Sequence, residues 1–224
     1  FCTLPWIHAA TNSNGSIRAC CQMIYNDKEI PFGNIYKDDG TSLNGSDNIN
    51  DHRNTKNWKS LRKTMLAGKR HSACKLCWDE EDNNMESKRM QHNIINESLI
   101  EDMLGKTKDD GTINPDDFPI SYWDLRFGNK CNIKCRTCGP TDSDQWYGDW
   151  KVLGQGDTFK TKDGDTVEIE EIAPNKFKTP EIFKWVDDSN LWDSIKTNIK
   201  KVNRFYFTGG EPTVNLKHRE LLDF

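Results

Sequence analysis

Apolar residues recur along the chain with two different periods. In "NTKNWKSLRKTMLAGKR", Trp58, Leu61, Met65 and Leu66 fall at i, i+3, i+7 and i+8, which predicts a helix with Gly68 as its stop. "SYWDLRF", residues 121–127, alternates instead and predicts a strand. Tyr122, Asp124 and Arg126 take one face of it, and Trp123, Leu125 and Phe127 the other. An internal Asp124–Arg126 salt bridge is expected on the polar face. Trp192, Ile195, Ile199 and Val202 mark a further helical stripe, and "RFYFT" a short apolar strand. "IRACCQMIY" also reads as a short strand. "WDEEDNNMESKRMQHNIINESLI" is acidic early and basic late, as a helix dipole prefers, with Asp79, Glu80, Glu81 and Asp82 as its solvated start. Asp163-Gly164, inside "TFKTKDGDTVEI", signals a β-hairpin, and Thr179-Pro180 an N-cap and first helical residue. Trp146, Tyr147 and Trp150 are expected to pack in the core.

Polar, turn-rich stretches divide these elements. "KDDGTSLNGSDNINDH" is a long polar loop, and "GKTKDDGTINPDD" is the best boundary. The expected organisation is a small, irregular Cys-rich α+β domain over residues 1–104, a linker at 105–119, and an α/β region over 120–224. From residue 121 the order is strand, loop, helix, strand, glycine loop, helix start, which is a βαβ unit with parallel strands. Function in such folds sits at the carboxyl ends of the strands. The loops 131–138 and Gly209-Gly210-Glu211-Pro212 both follow strand ends, so they are expected to meet at one rim.

Composition narrows the classes. With 224 residues, one or two domains are expected, and 34% hydrophobic content is low enough to imply much loop or cofactor-bound surface. Eight tryptophans must then carry much of the burial. A net charge of −4 without a Lys/Arg block argues against nucleic acid as a partner. No apolar run is long enough for a membrane span, and "FCTLPWIHAA" lacks the character of a signal peptide, so a cytoplasmic protein is expected. Eight cysteines occur in tight groups, Cys2, Cys20-Cys21, Cys74/Cys77 and Cys131/Cys135/Cys138. Such grouping suits metal ligation in a reducing compartment better than a disulfide framework.

"CNIKCRTC", 131–138, offers three thiols at spacings of four and three. Zinc and iron-sulfur clusters both accept sulfur ligands. A zinc site needs a fourth ligand, from His218 or a distant cysteine. A four-iron, four-sulfur cubane is held at three corners by such a loop, with one iron left open.

Cys131-x3-Cys135-x2-Cys138 after one strand and "GGEP" after the next resemble the radical S-adenosylmethionine (radical SAM) superfamily over roughly residues 120–216. The resemblance implies a partial (β/α) TIM-type barrel. It also implies that Cys131, Cys135 and Cys138 hold a 4Fe-4S cluster whose open iron chelates S-adenosyl-L-methionine, and that Gly209, Gly210, Glu211 and Pro212 form the loop that meets its methionine end. Reductive cleavage then yields a 5′-deoxyadenosyl radical that abstracts hydrogen from substrate. The residue before the third cysteine is commonly aromatic in that family; here it is Thr137, which weakens one adenine-side contact.

At the front, Cys2-x12-Gly15-x4-Cys20, Cys74-x2-Cys77, "CTLPW" and "FGNIY" are similar to the SPASM and twitch domains that carry auxiliary iron-sulfur clusters. That likeness implies Cys2, Cys20, Cys74 and Cys77 as ligands of one auxiliary 4Fe-4S cluster, with Cys21 a spare thiol; a structural zinc fits the same spacing. Such domains usually follow the barrel, whereas this one precedes it. The resemblance therefore implies a radical SAM oxidoreductase or transferase acting on a peptide or protein. A carbohydrate or other small molecule is the alternative substrate, and a non-catalytic zinc module the alternative class. Flavodoxin or ferredoxin is the expected electron donor. A full barrel needs about 250 residues, so a chain with two strands after residue 120 is expected to be part of a longer protein.

Overall fold

The computed structural model describes residues 1–24, 32–35, 49–188 and 191–224. Helix α1 (Leu4–Ile7) carries Pro5 in its first turn, where a missing N–H breaks no helical bond, and it runs straight into β1 (His8–Thr11). The chain turns through Gly15, at φ +79°, into β2 (Ser16–Arg18), which pairs antiparallel with β1. The short β3 (Gly33–Asn34) lies outside β2. Helices α2 (Ile49–His52) and α3 (Lys56–Leu66) follow. On α3, Trp58, Leu61 and Met65 are buried as the periodicity requires, and Gly68 takes the left-handed backbone that ends the helix.

Next come α4 (Lys75–Asp82), α5 (Lys88–Ile95), α6 (Ile100–Lys106) and β4 (Tyr122–Arg126). Helix α7 (Tyr147–Val152) precedes two small hairpins, β5 (Thr158–Lys160) with β6 (Thr166–Glu168) and β7 (Glu171–Ala173) with β8 (Lys176–Phe177). The chain then forms α8 (Trp185–Asp188), α9 (Leu191–Thr197), β9 (Arg204–Thr208) and α10 (Leu216–Leu222).

Five strands make one mixed sheet in the order β3-β2-β1-β4-β9. Strand β4 lies parallel to β9 on one side, with Trp123 opposite Phe205, and parallel to β1 on the other, with His8 opposite Tyr122. The Cys-rich front of the chain and the βαβ unit are therefore built on the same sheet. Among the described residues the sheet is open and does not close into a barrel.

One core spans both halves, from Trp6, Trp58 and Leu61 to Leu125, Phe127 and Trp185. Burying Leu125 and Phe127 stabilises the fold by about 2–3 kcal/mol each. Segment 105–119 is largely exposed and anchors to this packing through buried Ile113 and Phe118. Two buried arginines bind it to the front. Arg62 donates to the carbonyls of Gly111, at 2.7 Å, and Pro5, while Arg53 donates to Phe118 and Trp6. Each guanidinium satisfies backbone oxygens that would otherwise be buried without partners.

Several local expectations change. The strand begun at Ser16 ends at Arg18, because Cys20–Met23 closes a turn with Met23 N–H bonded to the Cys20 carbonyl. Tyr25 of that stretch, and residues 37–48 of the polar loop, lie outside the described residues. The loop's end, Ile49–His52, is helical. The single helix expected after Cys77 is broken at Asn84, with φ +56°, and restarts where Ser87 Oγ accepts from Met90 N–H. The acidic run thus lies at the end of α4 rather than at a helix start, and Asp79, Asp82 and Glu81 pair with Lys75, Arg70 and Arg89. Thr179-Pro180 opens a 3-10 turn, Glu181–Phe183, before α8. Arg126 pairs with Asp142 at 3.6 Å rather than with Asp124, because its side chain sits at the strand end beside the loop that carries Asp142.

Candidate functional site

The residues at the ends of β4 and β9 build one rim. After β4, Gly128 turns at φ +61° and buried Asn129 closes the base of the cysteine loop. Its side-chain amide donates to the Pro140 carbonyl at 2.8 Å and to the Tyr147 hydroxyl at 2.6 Å. The loop between is tied from α7 and the turn before it. Asp144 accepts from Cys131 N–H at 3.1 Å, Gln145 donates to the Cys131 carbonyl, and Ser143 donates to the Ile133 carbonyl. Trp146 donates its indole N–H to the Cys135 carbonyl at 3.2 Å. Cys135 itself is exposed, and Cys131 and Cys138 are half-buried. The three thiols therefore stand on a braced loop that faces outward.

The glycine loop after β9 is bonded to that cysteine loop. Glu211 N–H donates to the Lys130 carbonyl at 2.9 Å, and Gly210 N–H to the Asp142 carbonyl at 3.1 Å. Both glycines have positive φ, +81° and +54°. A Cβ on Gly209 would stand 2.6 Å from Arg126 Cβ, and one on Gly210 would stand 2.2 Å from the Lys130 carbonyl oxygen. Only glycine permits this approach. The Glu211 carboxylate turns away to accept from the Thr213 hydroxyl and N–H, which hold it below the usual carboxylate range. Pro212 opens the 3-10 turn that follows.

The second cysteine set lies in the front of the molecule. Cys2 precedes α1, Cys20 follows β2, Cys74 ends a 3-10 turn and Cys77 lies in α4. All four line one pocket, together with Leu4, Leu61, Met65 and Arg89. None of the eight cysteines forms a disulfide. Burial pushes Cys2 and Cys74 up to about 12 and raises Cys77. Cys20 is raised as well, by its hydrogen bond with Cys21 and by burial.

Four thiols free of disulfides, in an apolar pocket that resists thiolates, fit a metal or cluster whose positive charge deprotonates them. On the loop, three outward thiols without a disulfide fit a cluster with one open corner. Among the described residues, no group of three or more Cys, His, Asp or Glu side chains converges on a single-ion site. His218, the alternative fourth ligand for the loop, is packed edge-on against Phe127 and Phe207.

A third cluster escapes sequence reasoning. Cys21 Sγ accepts from Lys88 Nζ at 2.9 Å beside the buried carboxyl of Asp124, on the polar face of β4. Burial, and then Cys21, raise Asp124 to about 7, and its Oδ1 has no hydrogen-bond partner among the described residues. His8, on the neighbouring strand, lies 4.3 Å from the Tyr122 ring at a tilt of 51°, and burial lowers it to about 3. No motif or period announces this meeting. The only local sign is the polar face of β4, on which Asp124 lies.

Residues 2–78 match the family model of SPASM, an iron-sulfur cluster-binding domain found in radical SAM proteins and typical of radical SAM enzymes. The matched span holds all four cysteines of the front pocket. No curated protein and no solved structure matches the chain. Among the described residues, no helix is long and apolar enough to cross a membrane.

Proposed function

We propose that this protein is a radical SAM enzyme with an auxiliary iron-sulfur cluster at its front. The observation that carries the reading is the seam between the two motif loops, where Gly210 and Glu211 bond to the backbone of the cysteine loop at the carboxyl ends of adjacent parallel strands. The match over residues 2–78 supports it independently.

On this reading Cys131, Cys135 and Cys138 hold a 4Fe-4S cluster with one open iron, and Cys2, Cys20, Cys74 and Cys77 hold the auxiliary cluster. A cluster bound there would supply one electron for reductive cleavage of S-adenosyl-L-methionine, the chemistry that would generate a 5′-deoxyadenosyl radical for hydrogen abstraction from substrate. Asn129, Asp144 and Trp146 brace the loop so that the thiols keep their spacing while that exchange proceeds. Gly209 and Gly210 bring backbone close to the rim, where its carbonyls would receive the ammonium group of methionine. On this reading the substrate is a peptide or protein, and the reductant is a flavodoxin or ferredoxin. Residues 1–104 then form the auxiliary region and 120–224 the catalytic one, joined through 105–119.

Anaerobic reconstitution with iron and sulfide tests the reading. A brown protein absorbing near about 400 nm, with dithionite-dependent formation of 5′-deoxyadenosine, supports it. A colourless zinc protein that leaves S-adenosylmethionine intact rejects it.

A further inference from the structure

Lys88 and Arg89 open α5 and stand on two sides of the front cysteines. Arg89 is fixed by three anchors. Its guanidinium bonds to Glu81 through Nε at 2.8 Å and through Nη2, and its Nη1 donates to the Phe1 carbonyl at 2.7 Å. It also lies over the Trp78 ring, 4.7 Å from the ring centre. So held, it forms part of the wall of the four-cysteine pocket, and its backbone N–H bonds to Cys77. Lys88 turns the other way. Its Nζ reaches Cys21 Sγ at 2.9 Å and lies 5.4 Å from the Tyr122 ring centre. Cys21 is in turn hydrogen-bonded to the side chain of Cys20. Ser87 caps α5 by accepting from Met90 N–H.

We propose that Lys88 and Arg89 are positioning residues that raise the reduction potential of the cluster held by Cys2, Cys20, Cys74 and Cys77. The inference rests on the auxiliary-cluster reading above. A cluster with four thiolate ligands becomes more negative on reduction, and an apolar pocket makes that extra charge costly. A fixed cation in the pocket wall, a backbone N–H on one ligand and an ammonium one thiol away from another all favour the more negative state. Glu81 opposes them, but its charge is engaged by Arg89 and by the Ser87 hydroxyl. Lys88 is the cleaner lever, because it takes no part in the anchors of Arg89.

The test uses full-length protein with Cys131, Cys135 and Cys138 all replaced by alanine, reconstituted with iron and sulfide, so that the front cluster alone reports. Its midpoint potential is read by redox titration followed with electron paramagnetic resonance. Lys88→Met and Arg89→Met are each expected to shift the reduction equilibrium at least tenfold toward the oxidised form, a fall of about 59 mV for a one-electron couple. Lys88→Arg keeps the parent potential. An unchanged potential in Lys88→Met, or a Lys88→Arg protein that falls as far, overturns the proposal. If Arg89→Met takes up no cluster because its anchors are lost, Lys88→Met decides alone. If Lys88→Met also takes up none, the role is structural and the proposal fails. A parent protein that binds zinc, or no iron, overturns the underlying reading together with it.

Discussion

Cys2 and Cys77 keep only 6% and 7% of their surface exposed, whereas Cys135 stands open on its loop. The front pocket draws its four thiols from a helix entry, a strand exit, a 3-10 turn and a helix, so packing of the core brings them together. The loop thiols come from eight consecutive residues and are braced by backbone bonds from outside. A site made by packing loses stability when a ligand goes. A site made by a braced loop loses chemistry and keeps its fold.

The largest effect that sharpens this contrast is Cys135→Ala. It is expected to reduce 5′-deoxyadenosine formation to background, on the order of a thousand-fold or more, because ligands of one cluster act as a unit. The front cluster's absorbance and the melting temperature should stay close to wild type. Cys74→Ser reverses the pattern. Losing the front cluster removes binding energy that favours the folded state, several kcal/mol by linkage, seen as a large fall in melting temperature. Equal melting temperatures for the two variants would break the comparison.

Gly210→Ala probes the seam. Its Cβ would collide with the Lys130 carbonyl at a backbone angle that alanine disfavours. A cost of about 2 kcal/mol and weaker S-adenosylmethionine binding, measured calorimetrically, are expected with both clusters retained. A smaller effect concerns Asp124. The folded protein holds that proton up to about pH 7, whereas an unfolded chain releases it near pH 4, at about the usual aspartate value. The folded state therefore binds more protons between these values, and this contribution to stability falls as pH rises through the window. Asp124→Asn should remove a pH-dependent loss on the order of 2 kcal/mol, read as the difference between denaturation midpoints of the two proteins at pH 5 and pH 8.

Local periodicity and short motifs carried much of this architecture. Trp58, Leu61 and Met65 on α3, the Asp163-Gly164 hairpin and the alternation of β4 each follow from neighbours a few residues away. The meeting of the cysteine and glycine loops followed from their shared place after parallel strands. What escaped depends on distant partners. Nothing in "HAAT" says that β1 will pair with β4, because a register between remote segments leaves no local period. No local pattern announces the burial of Arg53 and Arg62, because the backbone carbonyls that accept from them belong to the distant Trp6, Phe118, Pro5 and Gly111. The break at Asn84 falls where the weak helix formers Asp82, Asn83 and Asn84 interrupt the run and Ser87 caps a new helix.

The pairing of His8 with Tyr122 also sets an order of events during synthesis. At ribosomal speeds, roughly 10 s separate the emergence of these two strands. In that interval Ala9 and Ala10 present a bare parallel edge, and a chain halted there offers the kind of template on which neighbouring nascent chains aggregate.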